Sequence, residues 1–236
     1  EIYQCDWSSD VCSSDLAGSG TRFGDAMNKV WLPLSGRRII SRSLLNAAKS
    51  FKKYRLVLVL DPKDEAMARE VIAREVPQLD IEIIYGGATR HGSEFNALQH
   101  LAAEINRGEI DVVLIHDGAR PLATPALFET IAETARKHGG AIPTINVSNF
   151  ELDQHQSENV VRVQTPQGYQ AKQLLAAYEQ AERDGFTGTD TGACMEKYFP
   201  EVKTVAISAD PSNVKITYPQ DLVIAEHVLQ KRGYRD

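Results

Sequence analysis

The sequence predicts an α/β fold built on a mainly parallel, twisted sheet with helices on both faces. Apolar runs alternate with amphipathic segments along the chain, which implies right-handed crossovers between parallel strands. The strand candidates are continuous apolar runs, as strands buried on both faces should be. No internal repeat or low-complexity linker interrupts the alternation, so the 236 residues suit one domain with at most a small extension.

In chain order, "SRSLLNAAKSF" (41–51) has helical spacing and "RLVLVL" (55–60) is a buried-strand run. "KDEAMAREVIARE" (63–75) reads as helix and "IEIIY" (81–85) as strand. "SEFNALQHLAAEI" (93–105) is again helical, and "DVVLIH" (111–116) is the most apolar strand. "TPALFETIAETARKH" (124–138) opens on a Thr-Pro cap signal, then a "GG" break precedes the strand "AIPTI". An irregular stretch from Asn146 to Gln164 follows. The helix "AKQLLAAYEQAER" (171–183), the strand "VKTVAI" (202–207) and a helix from Pro219 to Gln230 close the pattern.

Bulk composition excludes several classes. Hydrophobic residues make up 42% and charged residues 25%, ordinary for a globular protein. No apolar run nears the roughly 18 residues of a membrane span, and no basic, then apolar, N-terminal signal is present. The net charge is −6, without the Lys/Arg run of a nucleic-acid surface. Cys5, Cys12 and Cys194 form no metal pattern or disulfide framework. A cytoplasmic protein with no membrane or nucleic-acid partner is expected.

Residues 1–16 differ from the rest. "EIYQCDWSSDVCSSDL" carries four acids, no base and two of the three cysteines. "CDWSSDVCSSDL" matches the in-frame translation of a sequencing-library adapter. This segment is therefore expected to be non-native and to have overwritten a first strand, which leaves residues 17–236 as the native domain. By propensity it is a poor strand.

Ligands of such sheets bind beyond the carboxyl ends of the strands. The loops placed there are "AGSGTRFG", "YGGATRHGS", "HDGARP" and "ADPSNVKITYP". The first is neither a dinucleotide fingerprint nor a Walker loop. It is a glycine-rich turn over Ala17, Gly18, Ser19 and Gly20 whose backbone N–H groups can converge on anionic oxygens. Arg22 lies within it and Lys29 follows, a pair of cations suited to a triphosphate. Asp117, at the end of the apolar strand, is placed for ribose hydroxyls or a divalent cation, or else caps the next turn. Arg120 pairs with an acid or holds the loop, and His116 reads as a packed strand-end histidine rather than a base. Gly86 and Gly87 allow close approach to a base, while Ser93 is a hydroxyl donor or a helix cap. "TPQGY" (165–169) reads as a plain turn, and spacing gives Lys215 and Asp190 no role. No Ser-His-Asp, Cys-His or H-E-x-x-H grouping is present, which suits a nucleophile that is already ionised.

Together, "LAGSGTRFG", "NKVWLPLSGR", "YGGATRHGS", "HDGARP", "QTPQGY", "TDT" and "NVKITYPQDL" resemble the 2-C-methyl-D-erythritol 4-phosphate cytidylyltransferases and their relatives, the ribitol-5-phosphate cytidylyltransferases. The match runs in order from residue 16 to 228. The resemblance implies a Rossmann-like nucleotidyltransferase domain that binds CTP and a divalent cation, Mg²⁺ above all, and transfers CMP to a polyol phosphate. It implies catalytic roles for Arg22 and Lys29 and places Lys215 at the acceptor phosphate. It puts Ala17 to Gly20 at the triphosphate, Gly87, Ala88 and Ser93 at the cytidine, and Asp117, Gly118 and Arg120 at the ribose and metal, with Asp117 as metal ligand. It implies that residues 146–164 form an arm for a homodimer.

Three positions depart from the family pattern on the acceptor side. Asn146 and Val147 replace an Asp-Thr pair, and Ser157 stands where an acceptor-binding Arg is usual; Arg162 is the nearest arginine. The expected acceptor is 2-C-methyl-D-erythritol 4-phosphate, which would place the reaction in isoprenoid precursor synthesis. The alternatives are ribitol 5-phosphate or another polyol phosphate. A sugar-1-phosphate nucleotidyltransferase using another base and a non-catalytic nucleotide-binding module are further readings.

Overall fold

The structure, a computed structural model, describes residues 9–14 (as backbone), 28–146 and 161–234. Its main sheet runs β10–β7–β9–β6–β1–β4–β5, with β8 pairing β7. The strands are β1 (Ser9–Ser14), β4 (Leu56–Leu60), β5 (Ile81–Tyr85), β6 (Val112–Asp117), β7 (Gly139–Asn146), β8 (Val161–Val163), β9 (Gln167–Gln170) and β10 (Lys203–Ser208). A two-stranded hairpin, β2 (Pro33–Leu34) with β3 (Arg37–Arg38), sits apart. The expected parallel sheet is present: β1 pairs parallel with both β4 and β6, β4 with β5, and β10 with β7. Among the described strands, β8 and β9 run antiparallel to their neighbours in this sheet.

Strand alternation sorts the core into two faces. Leu56, Leu58 and Leu60 of β4 join Leu114 of β6 in one cluster. This cluster packs on α1 (Ile39–Lys49), α2 (Glu65–Glu75) and α5 (Pro125–His138) through Leu44, Val71 and Phe128. The intervening Val57, Val59, Val113 and Ile115 face the other way. They meet α3 (Arg90–His100), α4 (Ala102–Arg107), α6 (Ala171–Asp184) and α7 (Thr191–Tyr198) through Leu98, Ile105, Leu174 and Met195. A third cluster seats α8 (Pro219–Lys231) on the hairpin through Leu34, Ile39, Ala225 and Leu229.

Four expectations change. A strand does precede the glycine-rich segment: Ser9–Ser14 runs as β1 at the sheet centre. The open edges of β4 and β6 need N–H and C=O partners, and any backbone can supply these. The "GG" pair breaks the helix as expected, Gly139 capping α5, but it also opens β7 rather than preceding it. A Cβ on Gly140 would lie 2.5 Å from the Tyr169 ring, so only a glycine admits that ring. "TPQGY" is not a plain turn, because Gln167–Gln170 forms β9 between β6 and β7. The helix expected over 93–105 is two helices, with Leu101 between them.

The chain leaves β1 for β4 and β5 on one side, then returns across to β6 on the other. The switch point of the topology is therefore the crevice beyond the ends of β1 and β6, where ligands of such sheets bind. Among the described residues, no helix is long and apolar enough to cross a membrane.

Candidate active site

Two loops meet at the end of β6. Asp117 is buried, and its Oδ1 accepts from the Ala119 N–H at 3.0 Å, so the carboxylate closes its own turn. Its Oδ2 lies 2.5 Å from Lys215 Nζ. Burial opposes ionisation of Asp117, but the Lys215 charge and hydrogen bond, the Ala119 N–H and the Arg120 charge outweigh it and lower its pKa. Lys215, which spacing left without a role, is thereby fixed at the strand end.

Arg120 holds the two loops together. Its Nη1 donates to the Asn213 carbonyl at 2.8 Å, and Asn213 Nδ2 donates to Gln164 Oε1 and the Thr165 carbonyl at 2.9 and 3.1 Å. The buried Arg120 Nε has no hydrogen-bond partner among the described residues. Burial lowers the Arg120 pKa, and the nearby charges of Arg90 and Arg162 lower it further. Lys215 and Arg120 thus bring two positive charges to one buried aspartate, a field that favours an anion.

His116 is a packed strand-end histidine, as expected. It is buried, edge-on to Phe128 at 4.8 Å, and burial pushes its pKa down to about 4. The Asp117 N–H donates to Thr165 Oγ1 at 3.0 Å, which frees the Thr165 hydroxyl proton for His116 Nδ1 at 3.2 Å. His116 Nε2 then carries the proton and donates to the Arg120 carbonyl, also at 3.2 Å. This chain of bonds sets the backbone on which Asp117 sits. Sequence reasoning missed Thr165 and Asn213, because both act through β9 and its preceding turn. Gly118 offers its carbonyl to Ser43 Oγ at 2.8 Å, which ties the same loop to α1.

The loop before α3 is self-organised. Thr89, not Ser93, caps α3, by accepting from the Gly92 N–H at 3.0 Å. Ser93 lies inside the helix, accepting from the Gly87 N–H at 3.1 Å and donating to the Thr89 carbonyl at 2.9 Å. A Cβ on Gly87 would stand 2.9 Å from the Gly92 carbonyl carbon, so this glycine answers to backbone packing. Ala88 lies between these contacts, exposed. Behind the loop, the buried Glu94 accepts from Arg90 Nε at 2.8 Å, from Thr191 Oγ1 at 3.3 Å and from the Tyr178 hydroxyl. Asp190, likewise without a role by spacing, caps α7 through the Ala193 N–H at 2.8 Å and accepts from Gln167 Nε2 at 3.4 Å.

Lys29 is half-buried and opens a short 3₁₀ turn, Lys29–Trp31, capped by Asn28. The Asn28 amide donates to Asp64 at 3.4 Å, and Val30 and Trp31 are buried beneath the turn. Arg22, Ala17, Gly18, Ser19 and Gly20 lie outside the described residues, as do Val147 and Ser157. The register nonetheless pairs Ser14 of β1 with Asp117 of β6. The chain therefore enters the glycine-rich segment beside the buried aspartate.

Among the described residues, no three or more His, Cys, Asp or Glu side chains converge on a point. The single ionised carboxylate of Asp117 still fits Mg²⁺, which is commonly held by one or two carboxylates together with substrate phosphates and water.

The model of one protein family, 2-C-methyl-D-erythritol 4-phosphate cytidylyltransferase, matches residues 15–231. A protein of that name from Geobacillus kaustophilus is 33% identical over 224 residues, 92% of this chain and 95% of the relative. Another from Crocosphaera subtropica is 35% identical over 225 residues, 92% and 96% of the two chains. A 4-diphosphocytidyl-2C-methyl-D-erythritol synthase structure from Anaerococcus prevotii superposes with a TM-score of 0.75 at 24% identity, over 95% of this chain and 96% of that one. The Thermus thermophilus structure of a 2-C-methyl-D-erythritol 4-phosphate cytidylyltransferase gives 0.70 at 24%, over 93% and 98%. These two likenesses establish the fold, a Rossmann-like α/β architecture. By the match of its sequence along nearly its whole length, the chain belongs to the 2-C-methyl-D-erythritol 4-phosphate cytidylyltransferase family.

Proposed function

We propose that the chain transfers the cytidylyl group of CTP to 2-C-methyl-D-erythritol 4-phosphate and releases diphosphate, a step of isoprenoid precursor synthesis. The observation that carries this reading is the pairing of Ser14 with Asp117, which ends β1 beside the Asp117, Lys215 and Arg120 cluster. One strand end then serves a triphosphate and an acceptor phosphate together.

An acceptor phosphate oxygen attacks the α-phosphorus. The new O–P bond forms as the bond to the β-phosphate breaks, and diphosphate leaves with the electron pair. The attacking oxygen is already anionic, so no base is needed, in keeping with a neutral, buried His116. The obstacle is charge: two unit charges 4 Å apart repel by about 4 kcal/mol at an effective dielectric of 20. Arg22, Lys29 and the N–H groups of residues 17–20 are assigned to the triphosphate and its equatorial charge in the transition state. Lys215 is assigned to the acceptor phosphate. Gly87, Ala88 and Ser93 are assigned to the cytosine, and Asp117 with Gly118 and Arg120 to the ribose and the cation. Mg²⁺ held by Asp117 and the triphosphate would neutralise charge on the departing diphosphate.

Residues 146–164 are assigned to a homodimer arm. Supporting this, Val161 and Val163 of β8 stand 42% and 40% exposed beside β7. Residues 1–16 are assigned a foreign origin: β1 lies between the wholly buried β4 and β6, a position that favours Val, Ile and Leu over "SDVCSS".

Diphosphate release with CTP and 2-C-methyl-D-erythritol 4-phosphate tests the activity, against ribitol 5-phosphate and against ATP, GTP and UTP with sugar 1-phosphates. Turnover only with ribitol 5-phosphate overturns the acceptor. Turnover only with another nucleotide overturns the reaction, and no turnover with any pair, while CTP still raises the melting temperature, leaves a binding module.

A further inference from the structure

A second cavity, of about 460 Å³, opens between α1, the start of α5 and the end of α8. Four cations line it, Arg37, Arg42, Lys49 and Arg232, and no acid does. In a chain with 32 acids and 26 bases, an all-cationic lining runs against the overall charge. The guanidinium groups are seated largely on backbone carbonyls. Arg42 Nε donates to the Leu34 carbonyl at 2.7 Å and Arg232 Nη1 to the Leu122 carbonyl at 2.9 Å, while Arg37 Nη1 donates to the Glu75 carbonyl. A carbonyl orients a guanidinium without cancelling its charge. The nearest acid to Arg232, Asp210, is 4.0 Å away and outside the lining. Lys49 makes no hydrogen bond or ion pair among the described residues.

The floor of the cavity has a different character. Leu45 and Leu229 contribute apolar surface, and the Tyr234 ring forms a wall with the Arg42 guanidinium 5.3 Å from its centroid. Thr124, the N-cap of the 14-residue α5, also reaches the lining and adds the positive end of a helix dipole. Cationic forks around an apolar floor match a phosphate group carried on a small apolar or planar body.

We infer that this cavity binds a small phosphorylated molecule with an apolar body, at a site separate from the Asp117 crevice. The inference stands apart from the proposed reaction, since it needs only the cavity. Its wall continues directly from the Asp117–Arg120 loop, where Asn46 Nδ2 donates to the Pro121 carbonyl at 3.0 Å.

Calorimetric titration of the full chain with phenyl phosphate and with inorganic phosphate tests it. Phenyl phosphate should bind saturably and about tenfold tighter than inorganic phosphate, through the apolar floor. Arg37→Glu with Lys49→Glu should weaken phenyl phosphate about tenfold or more, with turnover and melting temperature near normal. Lys49→Ala, which removes no hydrogen bond, should weaken it less, in the same direction. Lys215→Ala should leave it unchanged. Loss of binding in Lys215→Ala together with retention in the double variant would place the ligand in the Asp117 crevice and overturn the inference. Equal affinity for the two probes, or no saturable binding, would overturn it as well.

Discussion

Lys215 Nζ stands 2.5 Å from Asp117 Oδ2, joining the end of the most apolar strand to a loop that follows the edge strand β10. The pair is asymmetric: the Asp117 side chain is 4% exposed and Lys215 31%. An outward ammonium above a buried carboxylate keeps the acid ionised, and this ammonium is the cation assigned to the acceptor phosphate.

Lys215→Ala is therefore expected to act twice. With the cation gone, burial alone acts on Asp117 from this side, and its pKa rises. Acceptor efficiency should fall about 10²-fold or more, comparable to loss of one oxyanion-type donor. The KM for CTP should change far less. Steady-state kinetics over a pH series checks both, since the acid limb of the profile should move to higher pH. An unchanged acceptor KM together with an unmoved acid limb would remove Lys215 from the site.

Lys29→Ala and Arg22→Ala should each lower turnover about 10²-fold or more, without loss of fold. Diphosphate release under saturating CTP is the measurement. Near-normal turnover in both would reject the triphosphate assignment, whatever the fate of Lys215.

Thr165→Val should loosen the crevice. It leaves the buried Asp117 N–H and His116 Nδ1 without their partner, at a cost of about 1–3 kcal/mol. Thr165→Ser keeps the hydroxyl and should recover most of that loss. Urea denaturation of the two variants separates the hydrogen-bonding role from simple volume loss, for which Ser would be the worse of the two.

The α/β architecture was legible because strands buried on both faces must be continuously apolar, and "LVLVL" and "VVLI" are. The site was legible only in pieces. Asp117 announced itself as an acid at the end of an apolar strand, and the glycine-rich turn by its composition. The contact of Lys215 with Asp117 and that of Thr165 with His116 depend on which strands lie side by side. That is decided by β9 inserting antiparallel between β6 and β7, through a segment whose Pro and Gly read as a turn. Of the two readings of Ser93, the cap fails for a local reason: Thr also caps helices, and Thr89 takes the position. The cations Arg90 and Arg120 were visible as residues, but not their convergence, which arises from separate loops.

Stability should fall with acid in a defined window. His116 carries a pKa near 4 in the fold, against an ordinary value of 6.5, because burial disfavours its charged form. Between those values the unfolded chain binds the extra proton and the folded chain does not. The contribution is thus complete above about pH 6.5 and is lost as pH falls towards 4. Its size is about 3 kcal/mol, at about 1.4 kcal/mol per unit of pKa. Asp117, with its lowered pKa, adds a loss of the same sign at lower pH, as it is protonated against Lys215. Urea midpoints across this range check the slope, and His116→Gln should flatten it.

Replacing the polar residues of β1 should stabilise the protein. The backbone there already pairs with β4 and β6, so Ser9, Asp10, Cys12 and Ser13 need only be changed to Val, Ile or Leu to suit a strand between two apolar ones. Each apolar side chain newly buried contributes about 1.5–3 kcal/mol, and removal of an acid from such a position adds to this. Ser14, the end of this strand, pairs with Asp117 and leads into the segment assigned to the triphosphate. CTP affinity is therefore expected to rise together with the urea midpoint. A replaced strand that lowers the midpoint would show that "SDVCSS" is the native partner of β4 and β6, and would return residues 1–16 to the natural protein.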